Sequence, residues 1–152
     1  MRTYDEMMPV FMELGRALAK YSIVDRTAFD FGVGVDLYPA EIHMLTVVDN
    51  LGGAGVTELA KELGITKGAV SQLVAKLVKK GLFFKESDPE HGARVIIMPT
   101  ELGIIACKNH KAFHQDHDKD FLEYMANLDE ASYEVVSKMS REMNLWMDNY
   151  LK

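Results

Sequence analysis

Four side chains able to ligate or react lie close together in this chain: Cys107, His110, His114 and His117. On a helix they would share an arc of roughly 80° at about 100° per residue. His110 and His114 stand at i, i+4, the spacing at which two imidazoles on one helix can grip a single transition-metal ion. His43, near the start of a separate helical pattern at Pro39, would bring a third nitrogen from elsewhere in the fold. A plainer reading stands beside this one. The stripe continues into Phe121 and Met125, as the packed face of a helix would, and His117 with Asp116, Asp118 and Asp120 reads as solvated surface. Cys107 offers another chemistry, oxidation of its thiolate, if a neighbouring imidazolium lowers its pKa. A cysteine in mid-helix between Ala106 and Lys108 is equally a small buried apolar residue.

A second set of residues suits nucleic acid. From Ile65 to Lys85 there are five lysines and no acidic residue. Thr66 caps a helix that runs to about Lys80, where Gly81 stops it. Val70, Leu73, Val74 and Leu77 fall on one side of it and face a core. The opposite side presents Gly68, Ser71, Gln72, Ala75 and Lys79, short or amide side chains suited to base edges. Thr66, Lys67, Gly68, Ser71, Gln72, Lys76 and Lys79 are therefore the expected DNA contacts.

The surrounding elements position that helix. Thr57 opens a preceding helix with Leu59, Ala60 and Leu63 at buried spacing, Gly64 ends it and Ile65 fills the turn. After Gly81 come two strands, begun by Leu82, Phe83 and Phe84 and returned by Val95, Ile96 and Ile97. Between them lies SDPEHGA, rich in turn formers. Arg94 at the end of that loop suits a narrow minor groove, or it pairs with Asp88 and stiffens the loop. Helix, turn, helix and hairpin in this order form a reading head for the major groove of double-stranded DNA.

Net charge is −6, yet residues 56–98 hold seven basic and five acidic groups while the remainder holds ten and eighteen. A basic head on an acidic body meets phosphate with the head only. The ends of the chain look built for pairing. Tyr4, Met7, Met8, Phe11, Leu14, Leu18 and Tyr21 recur at helical spacing. In a last helix capped by Asp129, Val136, Met139, Met143, Trp146 and Tyr150 step by three and four. One small winged domain cannot cover all of these helices, so apolar surface would remain exposed.

The run from Leu37 to Gly103 resembles the MarR family of winged helix-turn-helix regulators. LYPAEIHML, VTELAKELGITKGAVSQLVAKLVKKGLF, the Asp88…Arg94 wing and PTELG carry the likeness. The wing has HGAR where the family often shows a denser Asp/Arg cluster, and Pro99 stands before Thr100 where Leu is usual. The resemblance implies a mainly α fold with a small β-wing and long N- and C-terminal dimerisation helices. It divides one compact chain into residues 1–36 (dimerisation helix and connector), 37–99 (winged helix-turn-helix) and 100–152 (dimerisation helices). It also implies a two-fold homodimer, joined by the terminal helices, acting as a repressor on a pseudo-palindromic operator. Within the family the chain is similar to the zinc-sensing branch, repressors of zinc-uptake genes. Aligned through LYPAEIHML and PTELG, His43, His110 and His114 fall on three histidine ligands, and Asp25 falls on a glutamate ligand one methylene longer. A second metal site of that branch has Phe31, Ile42 and Asn109 at its positions, none of them a good zinc ligand. Zinc as corepressor is one effector reading. A small aromatic molecule held by the dimer, or oxidation of Cys107, is the other.

Composition narrows the class. With 152 residues and 48% hydrophobic content the chain can bury one core. No apolar run reaches a membrane-spanning length and no signal peptide is seen, so a cytoplasmic protein without a membrane partner is expected. One cysteine excludes a disulfide framework. No H-E-x-x-H, phosphate loop or nucleophile elbow is present, which argues against an enzyme.

Overall fold

A computed structural model describes residues 1–87, 92 and 95–150. Its elements follow in order: α1 (Tyr4–Val24), β1 (Phe29–Asp30), β2 (Asp36–Leu37), α2 (Pro39–Leu51), α3 (Val56–Leu63), α4 (Lys67–Lys79), β3 (Phe83–Ser87), β4 (Val95–Pro99), α5 (Glu101–His117), α6 (Lys119–Ala126) and α7 (Glu130–Asp148). The fold is the mainly helical winged helix-turn-helix that the sequence pattern implies. The chain forms two compact units, Met1–Lys111 and Ala112–Lys152, and the division falls inside the unbroken helix α5.

In the first unit the core gathers Met44, Leu45 and Val48 of α2, Leu59 of α3, and Val70, Val74 and Leu77 of α4. Leu82, Phe83 and Ile97 close it from the wing side. Each such aliphatic side chain contributes about 1.5–3 kcal/mol on burial, and the helical spacing of the α4 trio keeps its opposite face in water. Gly64 ends α3 in the left-handed region at φ +64°, and the Thr66 hydroxyl accepts the Ala69 N–H at 3.2 Å to start α4. Two local expectations fail. The N-cap of α3 is Gly55, not Thr57, because extended backbone at Gly55 lets its carbonyl accept the Leu59 N–H at 3.0 Å. Ile65 is 37% exposed rather than filling the turn.

The wing strands pair antiparallel from Phe83↔Pro99 to Ser87↔Val95. Ala54 clamps the far side of β4: its N–H donates to the Ile97 carbonyl at 3.1 Å, and the Ile97 N–H donates back at 2.9 Å. Gly53 permits this approach, since a Cβ there would lie 2.2 Å from Met98 Sδ. Arg94, and the pairing with Asp88 considered for it, lie outside the described residues.

The connector after α1 holds a small hairpin that the sequence pattern did not predict. Phe29 pairs with Leu37 and Asp30 with Asp36. Asp30 Oδ1 accepts the N–H groups of Val33 (2.9 Å) and Gly34 (3.2 Å), which closes the turn. Downstream, Thr100 locks the start of α5 to the wing. Its hydroxyl donates to the Gly81 carbonyl at 2.7 Å and accepts the Gly103 N–H at 3.1 Å. Gly103 packs so tightly there that a Cβ would stand 2.4 Å from the Leu82 carbonyl oxygen.

A stripe that runs from Cys107 through Phe121 to Met125 implies one continuous helix, but α5 ends at His117 and α6 begins after Asp118. Local side-chain bonds compete with the helix at that point. His117 Nδ1 lies 3.2 Å from the Phe113 carbonyl with its ring stacked on Phe113, and the Asp118 carboxylate turns back to His114. Phe121 is 66% exposed, so the histidine stripe does not continue as a packed face. Asp129 caps α7 as expected, accepting the Ser132 N–H at 2.7 Å. That bond holds the Asp129 carboxyl below its ordinary pKa. Neither α1 nor α7 has a buried residue; Tyr4, Phe11, Leu18, Tyr21, Met139, Trp146 and Tyr150 of the two stripes are exposed. No described helix is long and apolar enough to cross a membrane.

Candidate nucleic-acid interface and histidine cluster

Helix α4 shows the two faces its sequence implies. Val70, Val74 and Leu77 are buried, while Thr66, Lys67, Gly68, Ser71, Gln72, Ala75, Lys76 and Lys79 are all exposed. Among the described residues no acidic group stands in its first turn, and Lys76 and Lys79 occupy its last. A Cβ added at Gly68 would meet only Thr66 Oγ1, at 3.9 Å, so no packing within the protomer calls for glycine at this position.

Lys80, the C-cap of α4, does something else. Its Nζ donates to Glu41 Oε2 at 2.6 Å and to the Asp36 carbonyl at 2.7 Å, and lies 6.0 Å from the Tyr38 ring centre. Glu41 is buried in the first turn of α2 and also accepts the Tyr38 N–H at 3.0 Å. This lysine ties the end of α4 to the start of α2 instead of facing solvent with Lys76 and Lys79. Sequence reasoning missed the pair because its members are 39 residues apart.

His43, two residues beyond Glu41 on α2, meets the histidines of α5. One ring nitrogen from each of His43, His110 and His114 lies within 4.8 Å of the others. The His43 and His110 ring centres are 5.6 Å apart. His114 is carried one turn beyond His110 by the continuous helix. His110 is buried, whereas His43 is exposed and the His114 side chain is 46% exposed, which leaves a route from solvent. Tetrahedral zinc with Zn–N of about 2.0–2.1 Å needs nitrogens roughly 3.3 Å apart, so modest side-chain rotation would close this set around an ion. The donor set fits zinc: three borderline-soft imidazoles from two helices. Asp25 is the exposed C-cap of α1 and is not among the three grouped residues, nor is His117.

The residues around the cluster hold its shape. Phe31 sets its ring edge-on to His110, with centres 5.1 Å apart. The Asn109 amide donates to the Phe31 carbonyl at 2.6 Å, and Ile42 is buried in the core. The three positions that lack second-site ligands thus serve packing and orientation. His114 Nδ1 donates to Asp118 Oδ2 at 2.6 Å, a contact that i, i+4 spacing could have signalled. Cys107 is buried, and loss of solvation pushes its pKa up to about 11 against a stabilising hydrogen bond from Thr46. The nearby imidazoles do not turn it into a thiolate.

Comparison with known proteins agrees with this geometry. Residues 35–94 match the MarR family model. The uncharacterised HTH-type transcriptional regulator YcgE of Bacillus subtilis (strain 168) is 29% identical over 105 residues, 69% of this chain and 64% of that protein. The chain therefore spans somewhat under two thirds of that relative's length. Among solved structures, the zinc-responsive MarR family member ZitR of Lactococcus lactis superposes with a TM-score of 0.68 at 17% identity, over 93% of this chain and 99% of that one. FabT of Streptococcus pneumoniae, solved in complex with DNA, gives 0.66 at 17%, over 97% and 99%. At that identity the structural likeness establishes the fold. Through its winged helix-turn-helix, residues 35–94, the chain matches the model of the MarR family.

Proposed function

We propose that the protein is a sequence-specific, homodimeric DNA-binding regulator of transcription, a repressor whose operator affinity is raised by zinc. The observation that carries the DNA reading is the solvent face of α4, acid-free, lysine-flanked and open at Gly68. That face suits a helix laid in the major groove: Ser71 and Gln72 read base edges, while Lys67, Lys76 and Lys79 meet phosphate. Thr66 contributes through the N-terminal end of the helix, and Arg94 is assigned to the adjacent minor groove. The exposed apolar stripes of α1 and α7 supply the pairing surface, and a two-fold dimer presents two α4 helices to half-sites about one DNA turn apart.

The zinc reading rests on the three convergent imidazoles. Zinc held there would supply a cross-link and no redox chemistry. His43 would then tie α2 to α5 through His110 and His114, and α2 reaches the C-cap of α4 through Glu41 and Lys80. A site that closes only when α2 and α5 are correctly spaced favours one placement of the reading helices, and that differential affinity is the coupling. Typical coupling of about 1–3 kcal/mol would raise operator affinity roughly 5- to 150-fold. The fourth ligand is Asp25 or water, and zinc affinity of Asp25→Ala separates the two. Burial of Cys107 speaks against an oxidation switch.

The test begins by selecting duplexes from a random-sequence library with the purified protein, then measuring binding by fluorescence anisotropy with zinc and with chelator. Gln72→Ala and Ser71→Ala should relax base preference, whereas Lys76→Ala should weaken all duplexes alike and reduce the salt slope by about one. His110→Ala with His114→Ala should abolish the zinc effect and leave zinc-free binding intact. Enrichment of no sequence would remove the DNA reading. Equal affinity with zinc and with chelator would remove the metal reading.

A further inference from the structure

We infer that Asp118 is the positioning residue of the metal site, holding His114 in the tautomer that ligates; this rests on the zinc reading above. An aspartate at a helix N-cap normally spends a side-chain oxygen on an N–H of the first turn. Asp118 stands at the N-cap of α6 and makes no such bond. Its carboxylate points backward to accept from His114 Nδ1 at 2.6 Å. With Nδ1 carrying the proton, the lone pair of a neutral ring sits on Nε2, which is then the nitrogen able to ligate a metal. A carboxylate on the far nitrogen also raises ligand basicity and stops the ring from rotating. The neighbouring imidazole shows the contrast. His117 has its Nδ1 against the Phe113 carbonyl, with its ring stacked on Phe113, and it stands outside the cluster. The helix break at Asp118 is part of the same device, because the carboxylate that could have capped α6 is committed to the histidine.

Loss of such a partner typically lowers metal affinity about 10- to 100-fold, and the half-exposed setting of this pair places the effect near about 10-fold. The experiment uses the full chain stripped of metal, as wild type, Asp118→Ala, Asp118→Asn and His110→Ala. Zinc affinity is measured by competition with a chromophoric chelator, and the tautomer of His114 by long-range proton–nitrogen NMR of the metal-free protein. Wild type should show the Nδ1–H form at His114. Asp118→Ala should mix the tautomers and weaken zinc about 10-fold, with Asp118→Asn between the two, since its amide oxygen still accepts without charge. Unchanged tautomer and zinc affinity in Asp118→Ala would overturn the inference while leaving the zinc site standing. Wild-type protein that binds zinc no better than His110→Ala would overturn the zinc reading itself, and this inference with it.

Discussion

Replacing Lys80 by methionine removes the cation paired with Glu41 while keeping most of the side-chain volume. The Glu41 side chain is 4% exposed and that of Lys80 25%, so the two ends of the pair are unequal. Lys80 left alone would keep water and the Asp36 carbonyl. Glu41 left alone would keep one backbone N–H, from Tyr38, in a nearly dry site. Stranding one member of a buried pair costs about 3–5 kcal/mol, and the surviving N–H and partial water access at Lys80 favour the low end, about 3 kcal/mol. Glu41→Gln should cost less, about 1–2 kcal/mol, because the amide oxygen can still accept from Tyr38. The double variant should recover part of the single-variant loss, giving a coupling of at least about 1 kcal/mol. Denaturant unfolding at one fixed protomer concentration measures all three, since pairing makes apparent stability depend on concentration. For a chain of this length the Lys80→Met loss corresponds to a fall in melting temperature of roughly 6–12 °C. A Lys80→Met protein within about 0.5 kcal/mol of wild type would refute the account, as would additive single losses. DNA binding gives a second check. A contact role for Lys80 would change the salt slope by about one, whereas an anchor leaves that slope unaltered.

Two further outcomes follow from the packing. Cys107 should be nearly inert in the native protein. With its pKa near 11 the thiolate is scarce at pH 8, so labelling by iodoacetamide should match the free-thiol rate only after unfolding. Because that pKa is raised above the unfolded value, the buried thiol supports the fold at neutral pH, and its contribution fades as pH climbs from about 9 toward 11. Prompt stoichiometric labelling of folded protein would contradict the burial. Gly103→Ala should destabilise by about 1–3 kcal/mol or more, because its Cβ would be driven against the Leu82 carbonyl, a backbone atom that cannot swing aside. A neutral effect in thermal melts would show that α5 is not pinned to the end of β3.

What was legible in the sequence was what local chemistry decides. Thr66 as cap, Gly64 as terminator and the spacing of Val70, Val74 and Leu77 announce α4 and its two faces without any distant partner. The pair His110 and His114 is visible for the same reason. His43 required a family likeness, because nothing local says that α2 passes beside α5. The break at Asp118 carries neither Gly nor Pro and was hidden, since it depends on where two side chains send their hydrogen bonds. The β1–β2 hairpin has only two residues per strand, too few for alternation to register, although the glycines at 32 and 34 and Asp30 marked a tight turn. Glu41 and Lys80 each look like ordinary surface charges in the sequence, and only tertiary packing buries one against the other.

The clamp that Ala54 places on β4 has a practical corollary. Ser87 and Val95 are held side by side by a ladder whose β4 strand is paired on both of its edges, by β3 and by Ala54 at Ile97, so its two ends offer fixed points for grafting the residues that join them. Exchanging those residues for the corresponding tips of other winged proteins should retune groove preference without retuning the scaffold.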